Sequence, residues 1–146
     1  AGYDVVLRDI EQGFLDKAME KIKWSLDKLV AKEKISQQEA DSIYSRITPI
    51  VNLADAVKDA QLVIEVVPEI MELKKKVYAE LDAVAGKDVV FASNTSTLPI
   101  TEIANTTSRP EKFIGIHHFI FYCFAICCQI SFDFVIVFFV FIGVRI

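Results

Sequence analysis

Glycine is scarce in this 146-residue chain. Its five glycines, Gly2, Gly13, Gly86, Gly115 and Gly143, never fall into the phosphate-cradling pattern Gly-x-Gly-x-x-Gly. Cysteine is scarcer still. Cys123, Cys127 and Cys128 are an odd, crowded set with no Cys-x-x-Cys pair, which supports neither a disulfide framework nor a metal site. The two histidines, His117 and His118, are adjacent rather than at zinc-ligand spacing. Positive charge is not in excess. The net charge of -4 leaves no electrostatic case for nucleic acid as a partner. No charged-then-apolar leader follows Ala1, so no signal peptide is expected. The lack of cysteine in residues 1–118 is compatible with a reducing, cytoplasmic setting.

What is present divides sharply at about residue 119. Residues 1–118 mix charged and apolar positions as a folded domain does. Residues 119–146 hold eight of the eleven phenylalanines and all three cysteines, with only Asp133 and Arg145 charged. That tail reads in three ways: a segment translated out of frame, a buried or disordered terminus, or a membrane anchor. Asp133 near its middle would cost roughly 2.5–3.5 kcal/mol on insertion into a bilayer, so a membrane is not the expected partner.

Within residues 1–118 the pattern alternates between strands and helices. Residues 2–9 form a short apolar run ending in Asp9. Leu15, Ala18, Ile22, Leu26 and Leu29 recur at helical spacing over residues 12–33. Ser36-Gln37-Gln38-Glu39 is a capping box that starts a second helix. These two helices, residues 12–47, exceed what a minimal crossover needs and read as either a packing insert or a substrate-covering arm. Thr48-Pro49 reads as a turn, with a short strand at 50–52 and one or two helical turns before Asp59. Residues 61–67 form a β-branched run broken by the single acid Glu65. Pro68 stops it and Glu69 opens a helix patterned by Ile70, Leu73, Val77, Leu81 and Val84, with Lys74, Lys75 and Lys76 assigned to its solvated face. A strand follows at 88–92 and breaks into Ser93-Asn94-Thr95-Ser96-Thr97. A short helix covers 98–104, and a last strand, 112–119, carries His117.

Such alternation predicts a doubly wound parallel α/β sheet. Taken singly, Asp9 is either a solvated strand cap or a ribose-binding acid, residues 93–97 are either a hydroxyl-rich turn or a site, and a strand-end histidine is more often structural. Taken together, three strands end in Asp9, Glu69 and Ser93 to Ser96 and a fourth ends at His117, so polar groups collect at one edge of one sheet.

Four segments carry a resemblance. Residues 2–9, Leu62-Val63-Ile64-Glu65-Val66-Val67-Pro68-Glu69, Phe91-Ala92-Ser93-Asn94-Thr95-Ser96-Thr97-Leu98 and Phe113-Ile114-Gly115-Ile116-His117 closely resemble the NAD-binding domain of L-3-hydroxyacyl-CoA dehydrogenases, a family that includes 3-hydroxybutyryl-CoA dehydrogenases. The resemblance covers residues 1–119 and implies a Rossmann-type domain with a helical hairpin insert, lacking its first strand and glycine-rich turn. It implies hydride transfer between NAD and the C3 hydroxyl or keto group of an acyl-CoA, in fatty-acid β-oxidation or 3-hydroxybutyryl-CoA metabolism. It implies that Asp9 binds the adenosine ribose, and that Glu69 and Lys74 form a pair near the nicotinamide ribose. Ser96 would hydrogen-bond the substrate's C3 oxygen, and His117 would act as general base. Ser25 and Lys32 on the arm would contact coenzyme A. His118 stands where the family has an aromatic residue.

Two departures bear on activity. Without the glycine-rich turn, the pyrophosphate has no helix N-terminus to sit on. After Phe119 the family continues with Asn-Pro and then a glutamate that pairs with the histidine. Here Ile120-Phe121 stands for Asn-Pro and Gln129 for the glutamate, and a glutamine cannot balance imidazolium charge. The family's homodimer forms through a helical C-terminal domain beyond these residues. The expectation is therefore an NAD-dependent dehydrogenase fragment with little activity alone. The rival is a non-catalytic CoA-binding or interaction module derived from one.

Overall fold

Among the described residues, six parallel strands in the order β2-β1-β6-β3-β4-β5 make up the sheet. The structure is a computed structural model that describes residues 2–116 and 135–140. The elements in chain order are β1 (Asp4–Arg8), α1 (Gln12–Ala31), α2 (Gln37–Ser45), β2 (Ile47–Ile50), α3 (Leu53–Val57), β3 (Leu62–Val66), α4 (Met71–Val84), β4 (Val90–Ser93), α5 (Ile100–Ala104), a 3-10 turn at Pro110–Lys112, β5 (Phe113–Gly115) and β6 (Val135–Val140).

From β1 the chain moves outward to β2. From β3 it moves the opposite way, through β4 to β5. Right-handed crossovers in opposite directions put helices on opposite faces of a sheet. Two cores result. Leu7, Leu15 and Ala18 are buried where α1 meets β1. A larger core joins Val57, Val63, Tyr78, Leu81, Phe91, Ile103 and Phe113 from α3, α4, α5 and the three strands beside them. The Tyr78 and Phe113 rings meet edge-on with centroids 4.5 Å apart, a favoured aromatic geometry.

The capping box forms as expected: Ser36 Oγ accepts the Glu39 N–H at 3.2 Å, and Glu39 accepts the Ser36 N–H at 2.8 Å. Several sequence expectations are corrected. Thr48 and Pro49 lie inside β2 rather than in a turn, because β2 is an edge strand and an edge tolerates a residue without an N–H. Ile70 and Val84 are exposed, not part of the α4 core face, and so is Leu29 of α1. Lys74 is the largest correction. It was expected on a solvated face with Lys75 and Lys76, yet it is fully buried.

The centre of the sheet belongs to β6. It pairs with β1 from Asp4↔Val135 to Arg8↔Phe139, and with β3 from Leu62↔Ile136 to Val66↔Val140. Residues 135–140 of the tail therefore lie within the sheet, between strands that make no ladder with each other. In the doubly wound order 3-2-1-4-5-6, that central place belongs to the first strand. Among the described residues no helix is long and apolar enough to cross a membrane.

Candidate functional site

Because every strand is parallel, all carboxyl ends lie along one edge. The direction of winding reverses between β1 and β3, and ligands of such sheets bind in the crevice outside that reversal. Asp9 follows β1 and Glu69 follows β3, so the two acids flank the crevice. One strand separates β1 from β3, which puts their backbones roughly 10 Å apart.

Asp9 is buried, and Asp9 Oδ1 accepts the Ile10 N–H at 2.6 Å. Burial raises its carboxyl above the usual range, against the pull of the Ile10 amide and the Arg8 charge. An ionised carboxylate offers only acceptors, which matches a pair of vicinal hydroxyls.

Glu69 is the hub of the opposite side. Its Oε1 accepts the Ser96 N–H at 2.9 Å, the Thr97 N–H at 3.1 Å and the Thr95 hydroxyl. Its Oε2 lies 3.4 Å from Lys74 Nζ. Partial burial opposes ionisation, but the Thr95 hydroxyl, the two amides and the Lys74 charge outweigh it and hold the carboxyl at about 2. Glu69 thus clamps the turn after β4, and that turn presents Ser96 at the exposed edge.

Beneath this turn lies a polar group that the sequence reading passed over. Glu65, fully buried on β3, accepts from Lys74 Nζ at 2.7 Å, from the Val67 N–H at 2.6 Å and from the Ser93 hydroxyl at 2.7 Å. Lys74 also donates to the Val67 carbonyl at 3.1 Å. The only signal in the sequence was a lone acid interrupting an apolar run. Burial, followed by the Glu65 charge, raises the Tyr78 hydroxyl well above its ordinary value.

The structure thus brings Asp9, Glu69 and Ser96 to one edge and puts Lys74 behind Glu69 rather than in the open crevice. Ser25 on α1 and Lys32, its C-cap residue, are exposed and about two turns apart on one side. Ser25 stands about 20 Å along the helix from its start beside Asp9. His117, His118 and Gln129 lie outside the described residues. Among the described residues no cluster of metal-ligating side chains occurs.

A winding reversal with one acid on each side and a hydroxyl-bearing turn at the third strand end define a dinucleotide-binding α/β domain. Asp9 and Glu69 place carboxylate acceptors on the two sides of the crevice, the chemistry that ribose hydroxyls of such a ligand call for. The chain belongs to the family described as 3-hydroxyacyl-CoA dehydrogenase, NAD binding domain, which residues 1–120 match. Over 118 residues it is 43% identical to the fatty acid oxidation complex subunit alpha of Idiomarina loihiensis, covering 81% of this chain and 16% of that one. It is 42% identical over 118 residues to 3-hydroxybutyryl-CoA dehydrogenase of Clostridioides difficile, covering 81% of this chain and 42% of the relative. The solved structure of Mycobacterium tuberculosis FadB2 superposes with a TM-score of 0.78 at 34% identity, over 82% of this chain and 42% of that one. The chain thus spans less than half the length of these relatives.

Proposed function

We propose that this chain is the cofactor-binding part of an oxidoreductase that moves hydride between NAD and C3 of a 3-hydroxyacyl-CoA. The observation that carries the reading is the Glu69 clamp, which holds Ser96 at the crevice edge across from Asp9. When bound, NAD supplies the hydride acceptor. Asp9 accepts from the adenosine ribose hydroxyls. Ser96 donates to the C3 oxygen of the substrate. His117 takes the hydroxyl proton, a transfer suited to an imidazole titrating near neutrality. Ser25 and Lys32 meet coenzyme A, the lysine as a point charge toward a phosphate. A cytoplasmic enzyme that pairs through a C-terminal domain completes this reading.

NADH titration of the full chain tests it. Trp24 is the single tryptophan, so its emission reports binding without ambiguity. NADH should quench Trp24, and Asp9→Asn should weaken binding by about tenfold or more, the scale of a lost charge-assisted hydrogen bond. No quenching by NADH would refute the reading. Turnover with acetoacetyl-CoA should be small, since the family match ends at residue 120 and so does not include the histidine's acid partner.

The exposed Ser25 and Lys32 of the helical arm also suit a second reading, a CoA-binding module without redox chemistry. Saturable binding of acetyl-CoA with no response to NADH would select it.

A further inference from the structure

Glu65 and Lys74 have no solvent exposure, and their charged groups meet at 2.7 Å. Taking such a pair out of water costs several kcal/mol per ion, so a buried pair is weak evidence for stability alone. Its position suggests another use. Glu65 holds Ser93, the last residue of β4, and its own carbonyl accepts the Asn94 N–H at 2.9 Å. Through its carboxylate it also holds the Val67 N–H and Lys74. Lys74 in turn binds the Val67 carbonyl and faces Glu69. One buried side chain therefore grips the turn at 67–69 and Ser93, the residue that leads into the turn at 94–97.

We propose that Glu65 is a positioning residue, which fixes these two turns against each other and so sets where Glu69 and Ser96 stand. Its value to cofactor and substrate rests on the function proposed above, but its grip on the two turns can be measured without ligand.

The test compares the full chain with Glu65→Gln, with the double variant Glu65→Gln/Lys74→Met and with Ser93→Ala. Glu65→Gln leaves the Lys74 charge without its nearest partner and should lower the urea midpoint. The double variant removes both charges and should recover most of that loss. In both, hydrogen exchange at the Ser96 and Thr97 amides should quicken by about tenfold or more while the β4 amides stay protected. The downfield shifts of these two amide protons, which arise from bonding to a carboxylate, should shrink. A merely structural role predicts that exchange at Ser96 and Thr97 returns to the wild-type rate once stability is recovered, and that result would overturn the proposal. Ser93→Ala covers the case in which the charge variants do not fold. The same local quickening is expected there, and unchanged exchange at Ser96 and Thr97 would count against the proposal. NADH affinity should fall in step with the loosened turn. If the wild type itself ignores NADH, the proposed function fails while the exchange data still decide the role of Glu65.

Discussion

Asp9 and Glu69 both end strands at the crevice, yet their environments push them in opposite directions. Asp9 sits where burial penalises its charge, with one backbone amide in partial compensation. Glu69 gathers two amides, two hydroxyls and an ammonium, and is held at about 2. A carboxyl whose folded value lies below its unfolded value, about 4.3, adds stability that is complete above the unfolded value. That contribution disappears as pH falls toward the folded value. Comparing the wild type with Glu69→Gln should therefore show a gap in urea midpoint that is constant above about pH 5 and closes as pH drops toward about 2. A gap that stayed constant through this range would show that the clamp does not depend on the charge. Asp9, Glu69 and Ser96 were readable as polar residues placed just after apolar runs. Lys74 was not, because its neighbours in sequence mark a solvated helix face. The acid that neutralises it, Glu65, lies on β3 rather than on the helix, and helical periodicity reports no such partner.

At the scale of elements, α4 is held at both ends. Its start follows the Glu69 clamp. Its C-terminal turns are tied to the segment before β5 by Arg109. The guanidinium donates to Asp82 Oδ1 at 2.7 Å and reaches the Asp82 and Gly86 carbonyls, and it lies 5.1 Å from the Phe91 ring centre. Asp82 also accepts the Ser108 N–H at 2.7 Å. Cations near a helix C-terminus are favoured by its dipole. Arg109→Leu would remove one partner of a nearly buried pair and should cost about 3 kcal/mol, read as a lower urea midpoint at unchanged slope. A loss near zero would mean that Asp82 is satisfied by Ser108 and solvent. Helices of this region were legible from periodicity and caps, as α2 shows with Ser36 and Glu39. The β2 boundary was not legible, since Pro49 is a turn signal unless the strand is known to be an edge.

For the whole molecule, the parallel doubly wound sheet followed from the alternation of patterns, but the place of β6 did not. Its residues lie in a stretch whose composition departs from the rest of the chain, and register between distant strands leaves no trace in local sequence. Among the described residues, ladder pairing with β1 on one side and β3 on the other makes β6 the only strand that joins the two halves of the sheet. Val137→Pro would delete a central backbone donor and strain the strand. Its cost should be about 3 kcal/mol or more, enough to lower the urea midpoint sharply in far-UV circular dichroism. Unfolding indistinguishable from the wild type would show that the halves cohere without β6.

The position of β6 also sets an order of events in folding. The register joins residue 4 to residue 135, so the centre of the sheet closes only after every other strand has been synthesised. Contacts at such separation carry a high loop-closure cost and slow the search for the native state. Until β6 docks, β1 and β3 each present an open edge, which is the surface on which nascent chains associate wrongly. Refolding of this chain should therefore be slow and concentration-sensitive, with its yield governed by how soon residues 135–140 reach the gap between two half-sheets already formed.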